Sequence, residues 1–361
     1  MLDVKLKFQS GHADGGDWMA PGATKFLFWN VTRECNHRCP ICFSDSGAAD
    51  PDEMTTDEAK SMLLSALDAQ IQEFVLSGGE PFLREDLPDL LAYMGSLGIA
   101  ARIATNGTLL TDDLLARLRR DTLVKSFQIS LDSMDPAVYA TMRNASPEEH
   151  GSVLAAIRRS RAHGFHTSIS IRLSPATIAG IPAVLDFASR EGVPTVNLQP
   201  PVEAGRTKSE FPAGTDIVAL LEPAIEHFLA LPRAWRIETY IPWAPHHPLI
   251  RRLETRITFG HVGCCAARSA AVVQPSGRIV ACLCMDVPGA FLGDVRRKPL
   301  RDILEDSAFR RMMLNPGAHG ICADCPHVKT CGGGCRAAAY AATDRLNGPD
   351  PFCPLRNGRK D

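Results

Sequence analysis

The chain has 361 residues, 45% of them hydrophobic and 22% charged, a globular balance that excludes a disordered or fibrous chain. Its 39 basic and 41 acidic residues leave a formal net charge of -2, which gives no electrostatic footprint for nucleic acid. At roughly 100–200 residues per domain, this length predicts two domains, or one large one with an appendage, that fold without disulfide staples.

Residues 1–24 read as an N-terminal extension. They hold no long apolar stretch and so do not read as a signal peptide. No run of about 18 apolar residues occurs anywhere, so the expectation is a cytoplasmic protein with no membrane partner. Apolar, β-rich runs then follow at 25–31, 73–78, 101–107, 127–132, 167–173 and 195–200, with helical patterns between them. Thr55 opens a capping box with Glu58, and Met62, Leu63 and Leu67 follow at helical spacing. Leu87, Leu90, Leu91 and Met94 form a second stripe. Leu114, Leu115 and Leu118 form a third, with Thr111 as its N-cap. Segments 150–163 and 181–190 supply two more helices, stopped by Gly164 and Gly192.

This alternation repeats at roughly 30 residues, the size of a βαβ unit, and predicts parallel strands. Six units are too few for the closed eight-stranded barrel. The expected fold class is α/β, a curved open sheet or partial (β/α)6 barrel over 25–230. Ligands are expected beyond the carboxyl ends of the strands. Residues 231–263 read as a linker, after a helical stretch at 216–231. Within 241–248, His246 and His247 read as solvated loop histidines. Residues 264–361 form a cysteine-rich end, in which 271–282 reads as a hairpin turning at Pro275-Ser276-Gly277.

The twelve cysteines carry the chemistry. Three lie within 35–42, nine lie between 264 and 353, and none falls between 43 and 263. A reducing compartment disfavours disulfides, so the clustering points to metal. Cys35-x3-Cys39-x2-Cys42 follows the first strand directly. Three thiolates on one loop can hold a metal centre and leave a position open for a cofactor or substrate. Zinc completed by His37 is the alternative. The second set is Cys322-x2-Cys325-x5-Cys331-x3-Cys335-x17-Cys353, preceded by Cys264, Cys265, Cys282 and Cys284. Zinc ribbons also use C-x2-C pairs, but their spacings are shorter. If the segment around 282 is extended, Cys282 and Cys284 share a face, whereas adjacent Cys264 and Cys265 do not.

The C-x3-C-x2-C loop resembles the signature of the radical S-adenosylmethionine (SAM) superfamily. The resemblance implies a four-iron cluster on Cys35, Cys39 and Cys42, with SAM chelating the fourth iron. The aromatic residue usual before the last cysteine is replaced by Ile41, with Phe43 just after. Gly78-Gly79-Glu80-Pro81 resembles the family segment that holds the SAM amino group. Asn106, Ser130 and Asp132 fall where the family places polar contacts to ribose and methionine, and Arg143 is implied as partner of the SAM carboxylate. The cysteine-rich end is similar to the SPASM extension and implies two auxiliary clusters. Carried over, Cys322, Cys325, Cys331 and Cys353 hold the outer one. Cys282 and Cys335, with Cys264 or Cys265, hold the inner one; Cys284 remains a further candidate for the eighth ligand.

The resemblance implies reductive cleavage of SAM to a 5′-deoxyadenosyl radical that takes hydrogen from an unactivated carbon. A reductant such as flavodoxin or ferredoxin is implied as a partner. The expected substrate is a peptide or peptide-derived molecule, met with a separate recognition protein because about 24 residues leave no room for a built-in one. A tetrapyrrole or other small metabolite is the alternative substrate. A non-catalytic Fe–S or zinc carrier is the alternative of another class, and the GGEP and Ser130–Asp132 pattern argues against it.

Overall fold

The computed structural model describes residues 6–7, 26–231, 236–239, 241–252, 257–258, 264–267, 270–305 and 322–355. Leu6–Lys7 forms strand β1. Each of the six apolar runs then forms a strand: β2 Phe26–Asn30, β3 Glu73–Ser77, β4 Ala100–Thr105, β5 Val124–Ser130, β6 His166–Arg172 and β7 Thr195–Gln199. All neighbouring pairs from β2 to β7 are parallel. That follows from the intervening helices, which return the chain to the same end of the sheet. Helix α1, Thr56–Asp68, opens with the Thr55–Glu58 capping box, and α3, Asp112–Asp121, opens on the Thr111 cap. Gly164 and Gly192 both take positive φ just past helices ending at Ala162 and Arg190. Leu90, Leu91 and Met94 of α2, Leu87–Ser96, are buried against the sheet. The core also holds two edge-to-face aromatic pairs, Trp29–Phe74 and Phe127–Phe165, with centroids 6.1 and 4.9 Å apart.

Two differences from the sequence reading matter for the site. First, a seventh parallel strand, β8 Arg236–Thr239, pairs with β7 and lies in the stretch read as linker. Four residues are too few to show a period, so alternation could not reveal it. Parallel to it runs β1, followed by β9, Ile257–Thr258.

Second, the cysteine-rich end continues the core sheet. The 271–282 hairpin forms as expected, from β10 Val272–Val273 and β11 Arg278–Val280, with Gly277 at φ +81° in the turn. Strand β10 pairs in parallel with β2, Val272 opposite Phe28 and Val273 opposite Trp29. Strand β12, Phe291–Asp294, extends the sheet antiparallel to β11. The full order is β12-β11-β10-β2-β3-β4-β5-β6-β7-β8-β1-β9, a curved sheet that does not close. Arg296, just after β12, pairs with Glu58 of α1 at 2.9 Å and with Asp52, just before that helix, at 2.8 Å. Among the described residues, no helix is long and apolar enough to cross a membrane.

Candidate active site

The first cysteine loop leaves β2 at the carboxyl end of the sheet. The Cys35 N–H donates to Gly47 O and the Gly47 N–H to Arg33 O, both at 2.9 Å, which closes the base of the loop. The Cys42 N–H donates to Cys39 O at 3.3 Å, a turn that places Cys39 and Cys42 together. A strap from the segment after β7 holds the loop from the other side. Arg206 donates from its backbone to Cys42 O, from Nε to Cys39 O and from Nη1 to Ser46 O, at 2.9, 2.9 and 2.8 Å. Thr207 Oγ1 donates to Ile41 O at 2.7 Å. Arg206 thus holds the cysteine loop.

Burial pushes the Cys35 thiol up to about 11, and it raises Cys39 against the pull of the Arg143 guanidinium. Burial also acts on Cys42, but hydrogen bonds from Ser44 and the Ser46 N–H, with the Arg206 charge, outweigh it and bring this thiol below its ordinary value. His37, buried between the cysteines, has Nε2 2.7 Å from Glu149 Oε2.

The Gly78-Gly79 pair packs directly under this loop. A Cβ on Gly79 would lie 1.9 Å from Glu34 O, and one on Gly78 would lie 2.3 Å from Thr32 O. The close backbone approach that these glycines permit is therefore to the segment between β2 and the first cysteine, tied by Gly79 N–H to Thr32 O and Glu80 N–H to Glu34 O, both 2.8 Å. The Glu80 carboxyl is fully buried. It accepts from Thr105 Oγ1 at 2.7 Å and from the Asn106 N–H at 2.8 Å, and burial pushes it up to about 7. Asn106 Nδ2 in turn donates to Asn36 Oδ1 at 2.8 Å, so Glu80 connects to the cysteine loop through Asn106.

Asp132, also fully buried, accepts from Arg143 Nε at 2.6 Å and from the Arg172 N–H at 2.7 Å. Burial works against the Arg143 charge, but Asp132 and Cys39 outweigh it and hold this arginine firmly protonated. Arg143 is thus no solvated helix residue; it sits between Asp132 and the first cysteines.

The nine C-terminal cysteines separate into two groups. Cys264, Cys265, Cys282, Cys284 and Cys335 border the same cavity as the first loop. Burial raises the thiols of Cys264 and Cys335; Cys282 adds to the rise of both, and Cys264 to that of Cys335. The segment around Cys282 is a turn, with the Met285 N–H donating to Cys282 O at 3.0 Å. It is not extended, so Cys282 and Cys284 meet through that turn rather than by strand alternation; the Cys284 N–H points to Cys282 Sγ at 3.5 Å.

Cys322, Cys325, Cys331 and Cys353 border a separate small cavity with His246, His327 and Asp350. Burial and the neighbouring thiols and carboxyl push Cys331 up to about 12 and Cys353 up to about 11. The His246 and His327 rings stack there, with centroids 4.1 Å apart. His247 is buried, with Nε2 2.8 Å from Asp216 Oδ2, so neither histidine is a plain solvated loop residue. Asp350 joins the two groups: it accepts from the Cys335 N–H at 2.8 Å and the Phe352 N–H at 3.0 Å. The sequence reading did not single it out.

The main cavity, of about 340 Å³, is large enough for a small-molecule ligand, whereas the second, about 30 Å³, is not. Gly78, Gly79, Asn106, Ser130 and Arg143 line the main cavity with the eight cysteines, and so do Ile41 and Phe43. Among the described residues, no three Cys, His, Asp or Glu side chains converge as a single bound ion requires. The thiols instead surround shared spaces. An all-sulfur donor set of this kind fits iron–sulfur clusters, each a body with its own volume, better than zinc at about 2.3 Å from every sulfur.

The radical SAM superfamily model matches residues 29–188, and SPASM, an iron-sulfur cluster-binding domain, matches residues 264–326. The chain belongs to the radical SAM superfamily and carries a SPASM domain. The AdoMet-dependent heme synthase of Methanosarcina barkeri is 28% identical over 94% of this chain and 98% of its own length. The mycofactocin maturase MftC of Mycobacterium tuberculosis is 27% identical over 91% of this chain and 82% of its own. In fold, the chain is similar to SuiB of Streptococcus suis bound to S-adenosylmethionine, with a TM-score of 0.72 and 18% identity, over 91% of this chain and 77% of that one. This radical SAM chain is therefore an enzyme whose cofactors are SAM and four-iron clusters.

Proposed function

We propose that this radical SAM enzyme takes hydrogen from a peptide or peptide-derived substrate during maturation of a modified peptide or cofactor. When bound, the cluster and SAM supply a reductively generated radical able to abstract hydrogen from an unactivated carbon. The chain's own residues do the rest. Cys35, Cys39 and Cys42 hold the SAM cluster, and Arg143, oriented by Asp132, receives the SAM carboxylate. Gly78, Gly79, Glu80, Asn106 and Ser130 shape the SAM side of the cavity. Apolar walls at Val75, Val202 and Ile241 exclude water from the reacting carbon. Residues 264–361 act as the auxiliary-cluster domain. Cys322, Cys325, Cys331 and Cys353 hold its outer cluster, and Cys264, Cys282 and Cys335 hold its inner one, with Cys284 or Cys265 beside them. A flavodoxin- or ferredoxin-type donor reduces the enzyme, and a separate protein presents the peptide.

The observation that carries the peptide reading is the shape of the approach. A third cavity, of about 420 Å³, adjoins the main one, and Phe43, Ser44, Ser46, Gly78, Leu283 and Cys284 border both. Together they make a cleft suited to an extended chain with one residue inserted between the cysteine groups. SuiB, which shares the fold, has been solved bound to its precursor peptide SuiA. One observation favours a tetrapyrrole instead: the match to the heme synthase runs nearly end to end.

The test is an anaerobic assay of reduced, reconstituted enzyme with SAM. One arm holds a panel of synthetic peptides, and the other holds iron-coproporphyrin. Peptide-dependent 5′-deoxyadenosine with a mass change in the peptide is expected. Turnover that responds to the tetrapyrrole and not to the peptide would overturn the reading.

A further inference from the structure

Arg172 closes β6 at the carboxyl rim, on the same inward face as Ser170, and lines the main cavity. Only 8% of it is exposed. Its guanidinium donates from Nη2 to Val202 O at 2.6 Å. No ion pair to it occurs among the described residues, although a guanidinium offers five N–H donors. Asp132 takes the Arg172 backbone N–H with Oδ1 and directs Oδ2 to Arg143, so it acts on the Arg172 guanidinium through its charge alone. A buried cation without a carboxylate partner is costly, and proteins keep one where an anion arrives. The cavity agrees: Arg143 and Arg172 are among its lining residues, and no Asp or Glu is.

Arg172 lies between the two cysteine sets: the charges of Asp132 and Arg143 act on it as well as those of the Cys284 and Cys335 thiols, and Arg143, Cys284 and Cys335 line the same cavity. An anion held by Arg172 would therefore sit between the first loop and the inner auxiliary cysteines.

We propose that Arg172 anchors a carboxylate of the substrate, seating it between the first cysteine loop and the inner auxiliary cysteines. A carboxylate matches the planar fork of the guanidinium, and the apolar walls strengthen the pair. This rests on the reading that substrate enters this cavity, but not on the substrate being a peptide. It specifies the substrate class: the molecule carries a free carboxylate near the carbon to be attacked.

The test uses reconstituted holoenzyme saturated with SAM and follows binding of ¹³C-carboxyl propionate by line broadening. Propionamide serves as the uncharged control. Saturable propionate binding is expected, with none for propionamide. Arg172→Gln should weaken propionate by about tenfold or more, the scale of one charge-assisted hydrogen bond. Arg172→Lys, which keeps the charge but loses the fork, should weaken it by about threefold. SAM affinity and iron content should stay at wild-type levels in both.

Absence of saturable binding to the wild type, or unchanged affinity in Arg172→Gln, would overturn the proposal. Displacement of propionate by SAM would assign Arg172 to the cofactor carboxylate and overturn it as well. Loss of about four irons with propionate binding intact would make Arg172 a counter-ion to the inner thiolates instead. If Arg172→Gln does not fold, Arg172→Lys decides, and unchanged affinity there overturns the proposal. Arg172-dependent propionate binding in an enzyme that ignores every peptide would sink the peptide reading and leave the anchor standing.

Discussion

The two cysteine regions are built in opposite ways. The first is one loop between Cys35 and Cys42, launched from a central parallel strand and held by backbone hydrogen bonds to Gly47, to the glycine pair at 78–79 and to the Arg206 strap. The second draws its cysteines from 264 to 353 and assembles them through a hairpin, a turn at Cys282 and the Asp350 carboxyl. The first is tightly packed at its base, where a Cβ on Gly79 would lie 1.9 Å from Glu34 O. The second depends on long-range polar contacts and on the metal groups it would hold, since metal binding and folding are coupled in such sites. The inner cysteines nevertheless border the same cavity as the first loop, so the two regions meet at one substrate space.

Four substitutions sharpen this contrast. The largest effect is expected at Gly79→Val. With Glu34 O 1.9 Å from the added Cβ, the backbone just before Cys35 must move, so the first cluster is lost along with SAM binding. SAM cleavage should fall by more than about 100-fold, a loss beyond that of a single contact; iron assay should show about four irons missing. A variant that keeps all its iron and merely binds SAM more weakly would restore the simpler view that Gly79 only makes room for SAM. Asp350→Ala should act on the other region alone. It frees the Cys335 and Phe352 N–H groups, so auxiliary iron should fall and product formation with it, while SAM cleavage persists.

Arg206→Gln removes the Nη1 donor to Ser46 O and the ion pair to Asp45, at 2.6 Å, while the backbone donor to Cys42 O remains. A loss of SAM cleavage of about tenfold is expected, on the scale of charged hydrogen bonds, measured as 5′-deoxyadenosine formed per first cluster. The smallest effect concerns pH. Burial raises the Glu80 carboxyl from 4.5 to about 7, so the folded state binds the proton more tightly than the unfolded chain. Its contribution to stability is full below about 4.5 and is lost as pH rises through about 7. Denaturant melts of the apoprotein should show this decline, and Glu80→Gln, uncharged at every pH, should flatten it.

Contiguity decided what could be read from the sequence. The six β-rich runs and the caps at Thr55 and Thr111 each lie within one short segment, and each took its expected form; Cys35, Cys39 and Cys42 are equally contiguous and border one cavity. Strand β8 escaped because four residues carry no period. Arg172, Arg206 and Asp350 escaped because their meaning lies in partners far along the chain, such as Cys39 for Arg206 and Cys335 for Asp350. Gly79 was legible only through the resemblance of its segment to the one at the SAM amino group; the neighbour it approaches is the Glu34 backbone, which the fold reveals.

The measurement closest to the central claim pairs Cys39→Ala with Cys353→Ala and reads iron and 5′-deoxyadenosine on the same soluble samples. Wild-type protein should carry about twelve irons, and each variant about eight. Cys39→Ala should form no 5′-deoxyadenosine, whereas Cys353→Ala should still form it and yield no product. Loss of SAM cleavage in Cys353→Ala that retains its first cluster would contradict the account and place electron entry in the C-terminal region.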